Sequence, residues 1–140
     1  MLDSSQPSEP LAFEKMEVQY TRFGGWIHKS ELFVHSSGIA SAKVTGHASG
    51  EVIRDTSITL TEDQQKMLSN SFAFFSRYER HYQPDKFMTD GDFHQIILTY
   101  DGVADTVLTY MPYESKLPKN LLRLIEDLDQ LHQIILQSNN

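Results

Sequence analysis

Three acidic residues, Asp85, Asp90 and Asp92, with Glu79 just upstream, crowd one stretch of the chain, and carboxylate oxygens gathered in a loop are ligands that calcium takes. The spacing is not that of an EF-hand, and Asp90-Gly91-Asp92 is equally ordinary turn chemistry. These three are the metal candidates, although no resident cofactor is expected. The six histidines, His28, His35, His47, His81, His94 and His132, would suit zinc, but none pair at the i, i+4 spacing that puts two imidazoles on one helical face. A site built from distant residues would use a pair such as His81 and His94.

Other reactive groups lack a setting. Ser36-Ser37-Gly38 and Ser41 carry hydroxyls without a strand-to-helix elbow, and there is no glycine-rich phosphate loop. Glu126 and Asp129 fall on what should be a solvated helix face, where water screens both carboxylates. No cysteine is present, which removes disulfides, thiolate zinc sites and a thiol nucleophile. No catalytic activity is expected. One motif offers recognition instead. In Phe23-Gly24-Gly25-Trp26, paired glycines can present backbone amides and the indole can anchor a partner, so Gly24, Gly25 and Trp26 are the expected partner-binding residues. The competing role for Trp26 is to cover one edge of the core.

The elements that would carry these residues follow from periodicity. Met16, Val18 and Tyr20 alternate with Lys15, Glu17, Gln19 and Thr21, the period-two pattern of a half-buried strand ended by the glycine pair. Residues 31–35 and 39–45 predict a hairpin turning at Ser36-Ser37-Gly38, and 52–60 a fourth strand. Thr61-Glu62-Asp63-Gln64 is a capping box. It opens a helix whose Met67, Leu68, Phe72, Phe75 and Tyr78 share a face and which stops before Pro84. Residues 92–100 and 103–110 form a hairpin at Asp101-Gly102, apolar on both faces as in the middle of a sheet. Pro118 opens a last helix with the stripe Leu121, Leu124, Ile125, Leu128, Leu131 and Ile135. The order β-β-β-β-α-β-β-α predicts an α+β two-layer sandwich, an antiparallel sheet of about six strands with two helices on one face.

Residues 20–131, about four fifths of the chain, resemble a group of small bacterial domains often found on lipoproteins and mostly without assigned function. The likeness is carried by Phe23-Gly24-Gly25-Trp26, by Phe72-Ala73-Phe74-Phe75 with the Asp90-Gly91-Asp92 lead, and by Leu117-Pro118 at the start of a leucine-rich helix. The same layout is similar to emfourin-type proteins, small cytoplasmic inhibitors of thermolysin-like metalloproteases. No inhibitory segment maps onto this chain residue by residue.

Composition narrows the partners. At 140 residues with 39% hydrophobic and 11% aromatic content, the chain can bury one core without staples. With 12 Lys plus Arg against 19 Asp plus Glu, its charge of -7 repels phosphate backbones and anionic lipid, so nucleic acid is not an expected partner. No segment is apolar enough to span a bilayer. Residues 1–12, rich in Ser, Pro and acid, read as a flexible lead-in to a single domain over 13–137, followed by a tail at 138–140. The lead-in is either a plain terminus or the tether left when a signal or lipid-anchor segment is omitted, which leaves cytoplasm and cell envelope both open. The expected function is a non-enzymatic binding or structural domain with a protein partner. The alternatives are an emfourin-like metalloprotease inhibitor and a small-molecule or metal-binding domain.

Overall fold

The computed structural model describes residues 9–24, 28–46, 50–85, 91–112 and 115–138. After a short 3-10 turn at Phe13–Lys15, the chain lays down β1 (Met16–Phe23), β2 (Lys29–Val34), β3 (Ile39–Thr45) and β4 (Val52–Thr59). Helix α1 (Glu62–Ser71) follows, then β5 (His81–Tyr82), β6 (Phe93–Tyr100), β7 (Val103–Tyr110) and α2 (Lys119–Gln137). The strands form one sheet in the order β4-β3-β2-β1-β6-β7-β5, antiparallel except for the β5–β7 pair. The architecture is the expected α+β sandwich with helices on one face, with one strand more than predicted.

The extra strand is β5, and two residues are too few to show a period. It is held by its register, His81 opposite Leu108 and Tyr82 opposite Thr109, and by Leu108 N donating to Arg80 O at 2.9 Å. The first helix is also shorter than expected. The capping box forms as predicted, with Gln64 N donating to Thr61 Oγ1 at 3.1 Å and Thr61 N to Gln64 Oε1 at 2.9 Å. The helix ends at Ser71, where Ser69-Asn70-Ser71 offers poor helix formers, and the chain tightens into a 3-10 turn at Phe75–Arg77. Phe72, Phe75 and Tyr78 are three apart, so the tighter turn keeps them on one side and they still enter the core.

β1 is the fourth of the seven strands and so the sheet's centre, while the β6–β7 hairpin is interior, paired on both sides, but lies off-centre. The hairpin does turn at Asp101-Gly102, with φ of 50° and 83°, the left-handed pair that a two-residue turn between twisted strands requires. Period two then sorts the side chains. Met16, Val18, Tyr20, Leu32, Val34, Ala40, Ala42, Ile96, Leu98 and Val107 point to the helices and are buried. The stripe of α2 from Leu121 to Ile135 is buried against them, at about 1.5–3 kcal/mol for each fully covered aliphatic side chain. Backbone ties reach ahead of β1, where Leu11 N donates to Ser69 O at 3.2 Å and Ala12 N to Tyr100 Oη at 2.9 Å.

Tyr78 is an exception to the rule that buried polar atoms are paired. Its hydroxyl has no hydrogen-bond partner among the described residues. Burial, with a smaller contribution from nearby Tyr82, pushes its pKa up to about 12. Two substitutions separate apolar from polar contributions. Leu128→Ala, at a position with no exposed surface, should lower the unfolding free energy by about 2–5 kcal/mol in urea titrations. Tyr78→Phe should leave it unchanged or raise it by up to about 1 kcal/mol, and a clear loss would mean that the hydroxyl is paired in solution.

Candidate functional site

The densest polar chemistry lies where the end of β1 meets β6 beneath α2. Arg22 stands opposite His94 in the β1–β6 ladder, and Tyr20, two residues back, shares the helix-facing side. Asp92 sits just ahead of β6, and Asp129 comes from α2. His94 Nε2 lies 2.8 Å from Asp92 Oδ2, and Arg22 Nε donates to that same oxygen at 3.0 Å. His94 Nδ1 lies 2.5 Å from Tyr20 Oη, which in turn donates to Asp129 Oδ1 at 2.6 Å. Thr109 Oγ1 donates to the carbonyl of His94 at 3.3 Å. Tyr20 and His94 are both buried, and a cleft of about 110 Å³ lined by Tyr20, Arg22, Ser30, Asp129, His132 and Gln133 opens on the Tyr20 side.

An ionised carboxylate only accepts, so Asp92 assigns the proton of neutral His94 to Nε2 and leaves Nδ1 as an acceptor facing Tyr20. Burial alone would raise the Asp92 carboxyl. The hydrogen bond from His94, with the charges of His94 and Arg22, outweighs burial and holds it below its ordinary value. His94 is pushed below its ordinary value by burial, against the opposing pull of Asp92 and Asp129. His132, whose Nε2 lies 3.4 Å from Lys43 O, is lowered by burial in the same way.

The expected sites fare differently. Gly24 ends β1 with φ of +97°, and a Cβ there would lie 3.2 Å from Gly91 O and 3.3 Å from the Phe93 ring, so glycine serves both the turn and a close approach. Gly25, Trp26, His47 and Asp90 lie outside the described residues. Asp85 is exposed and faces Lys116 at 3.4 Å, whereas Asp92 belongs to the Arg22–His94 pair, so these two carboxylates serve different partners. His81 sits on the β5 edge, with β7 between it and the β6 strand of His94. Among the described residues no group of three or more His, Asp or Glu is placed to hold a metal. Asp129 is not on a freely solvated face as expected, since it accepts from Tyr20. Glu126 is exposed.

The face of the sheet away from the helices forms a second surface. Phe33, 39% exposed, and Ile39, 52% exposed, join Gln19, Ser41, Ile97 and Thr99 in a groove of about 340 Å³. At one end of that face, Phe23 stacks on Phe93 with centroids 5.3 Å apart, and Phe93 meets Tyr110 at 4.6 Å. At the groove's rim, Glu17, His35 and Ser37 form a string with the residue types of a hydrolytic triad. His35 Nε2 lies 3.4 Å from Glu17 Oε1, and Ser37 Oγ lies 2.9 Å from His35 Nδ1. Such chemistry needs amide donors aimed at an oxyanion. Here Ser37 N donates to His35 Nδ1 and Gly38 N to His35 O, so both neighbouring amides are already committed. No protein-family model matches this chain, and no curated protein matches it in sequence.

Two measurements probe the buried chain. Tyr20→Phe removes the hydroxyl between His94 and Asp129 and should cost about 1–3 kcal/mol, in contrast to Tyr78→Phe. Because His94 and His132 bind protons less readily folded than unfolded, their contribution to stability is complete above pH 6.5, the ordinary histidine value, and is lost as pH falls below it. Tm should therefore be level from about pH 7 to about pH 9 and decline from about pH 6.5 to about pH 5, and a rise over that lower interval would contradict the assignment.

Proposed function

We propose that this is a non-enzymatic binding domain that docks a protein partner on the uncovered face of its sheet. The observation that carries the reading is the one-sided placement of the helices, which leaves Phe33, Ile39 and Ile97 in an open groove and the Phe23–Phe93–Tyr110 cluster on the same face. Aromatic and aliphatic side chains presented on a rigid sheet supply contact area at little entropic cost, which is what protein interfaces use. The net charge of -7 favours a protein partner over a nucleic acid. Among the described residues no helix is long and apolar enough to cross a membrane.

The resemblance to lipoprotein-associated domains supports a bacterial setting with tethering to the envelope. The resemblance to emfourin-type inhibitors makes a thermolysin-like metalloprotease the first partner class to try. Wild type and the double variant Phe33→Asp/Ile39→Asp, both positions solvent-exposed, serve as paired baits, with Glu126→Lys on the outer side of α2 as a control. The double variant should keep the wild-type Tm and lose a partner that the control retains. Equal capture by all three baits would remove the sheet face from consideration. Inhibition of a thermolysin-like protease by wild type at micromolar concentration, weakened at least tenfold in the double variant, would specify the inhibitor reading.

A further inference from the structure

The Asp92–His94–Tyr20–Asp129 chain contains three short contacts, and each needs one proton between its heavy atoms. A neutral His94 supplies one proton, from Nε2 to Asp92, and Tyr20 supplies one more. Two contacts then meet at Tyr20 Oη, to His94 Nδ1 at 2.5 Å and to Asp129 Oδ1 at 2.6 Å, with a single hydroxyl proton to serve both. Protonating His94 resolves the conflict, because Nδ1 changes from acceptor to donor and the hydroxyl proton is left to Asp129 alone.

We propose that Tyr20 is a proton-directed latch between the sheet and α2, shared between His94 and Asp129 when His94 is neutral and committed to Asp129 when His94 is protonated. The charged and titratable groups facing His94 among the described residues are Asp92 ahead of β6, Tyr20 and Arg22 from β1, and Asp129 from α2. The neighbour from β7 is the uncharged Thr109. Burial of the ring places the change on the acid side of the ordinary histidine range. Two effects therefore run in opposite directions as pH falls. The domain as a whole loses stability because the proton is buried, while the local tie from Tyr20 to Asp129 tightens.

The test is NMR of the wild-type protein across a titration from about pH 8 down to the onset of acid unfolding. At the alkaline end, His94 ring nitrogens are expected to show a proton on Nε2 and a bare Nδ1. On acidification both should become protonated below the ordinary histidine midpoint, and the Tyr20 Cζ resonance should shift with the same midpoint. Asp129→Ala should move the His94 midpoint further to acid, since it removes a negative charge and the second acceptor. A neutral ring with its proton on Nδ1, a Tyr20 signal that ignores the His94 titration, or no His94 titration before unfolding would each overturn the proposal on wild type alone. An unaltered His94 midpoint in a folded Asp129→Ala variant would overturn it as well.

Discussion

Seven strands set about 4.8 Å apart make a sheet close to 30 Å wide, and two helices, each about 10 Å across, cannot cover both of its faces. The chain places both on one side. That allocation divides each long strand into a dry row and a wet row, and it decides which residues are core and which are surface. Val18, Leu32 and Ile96 belong to the dry row, while Gln19, Phe33 and Ile97 one step along belong to the other face. Burial of the α2 stripe follows from it, as does the apolar groove on the opposite side.

The same constraint explains the polar chain at the rim. Where β1 and β6 run out beneath α2, the dry row changes from Ile96 and Tyr20 to His94 and Arg22, and polar groups there must find partners inside the protein. Asp92, Arg22, His94, Tyr20 and Asp129 contact one another across three elements, which ties the final helix to the sheet by direction as well as by apolar contact. Tyr78 shows the alternative, a buried hydroxyl that contributes its ring to the Phe72–Phe75 cluster and leaves its oxygen without a partner among the described residues.

What could be read in the residues was local. The alternation of Met16, Val18 and Tyr20, the Thr61–Gln64 capping box, the Asp101-Gly102 turn and the leucine stripe each depend on neighbours a few positions away, and each appears where expected. Two residues, His81 and Tyr82, are too short a strand to leave a pattern. The apolar character of both faces of β6 reads as a central strand, yet one face is covered by helices and the other is the open groove. The candidate site was the least legible. Tyr20 and Asp129 are 109 positions apart, and nothing in either neighbourhood names the other. The one available signal was that Tyr20 and His94 would share a buried face, which makes a histidine in a strand's dry row worth pairing before any metal is considered.

Strand order also bears on how the fold assembles. The antiparallel ladders within β1–β4 and within β6–β7 join strands that follow one another, whereas β1 against β6 joins strands far apart in the chain, with Tyr20 and His94 separated by 74 positions. Closing that loop carries a larger entropic cost than closing a hairpin, which makes β1–β6 the least local of the sheet's antiparallel ladders. During synthesis from the N-terminus, the four-strand meander emerges first and holds one flank of β1 unpaired until β6 arrives. The strand that ends at the middle of the sheet thus first emerges with one edge open, and until β6 covers it that edge offers a neighbouring chain the same ladder.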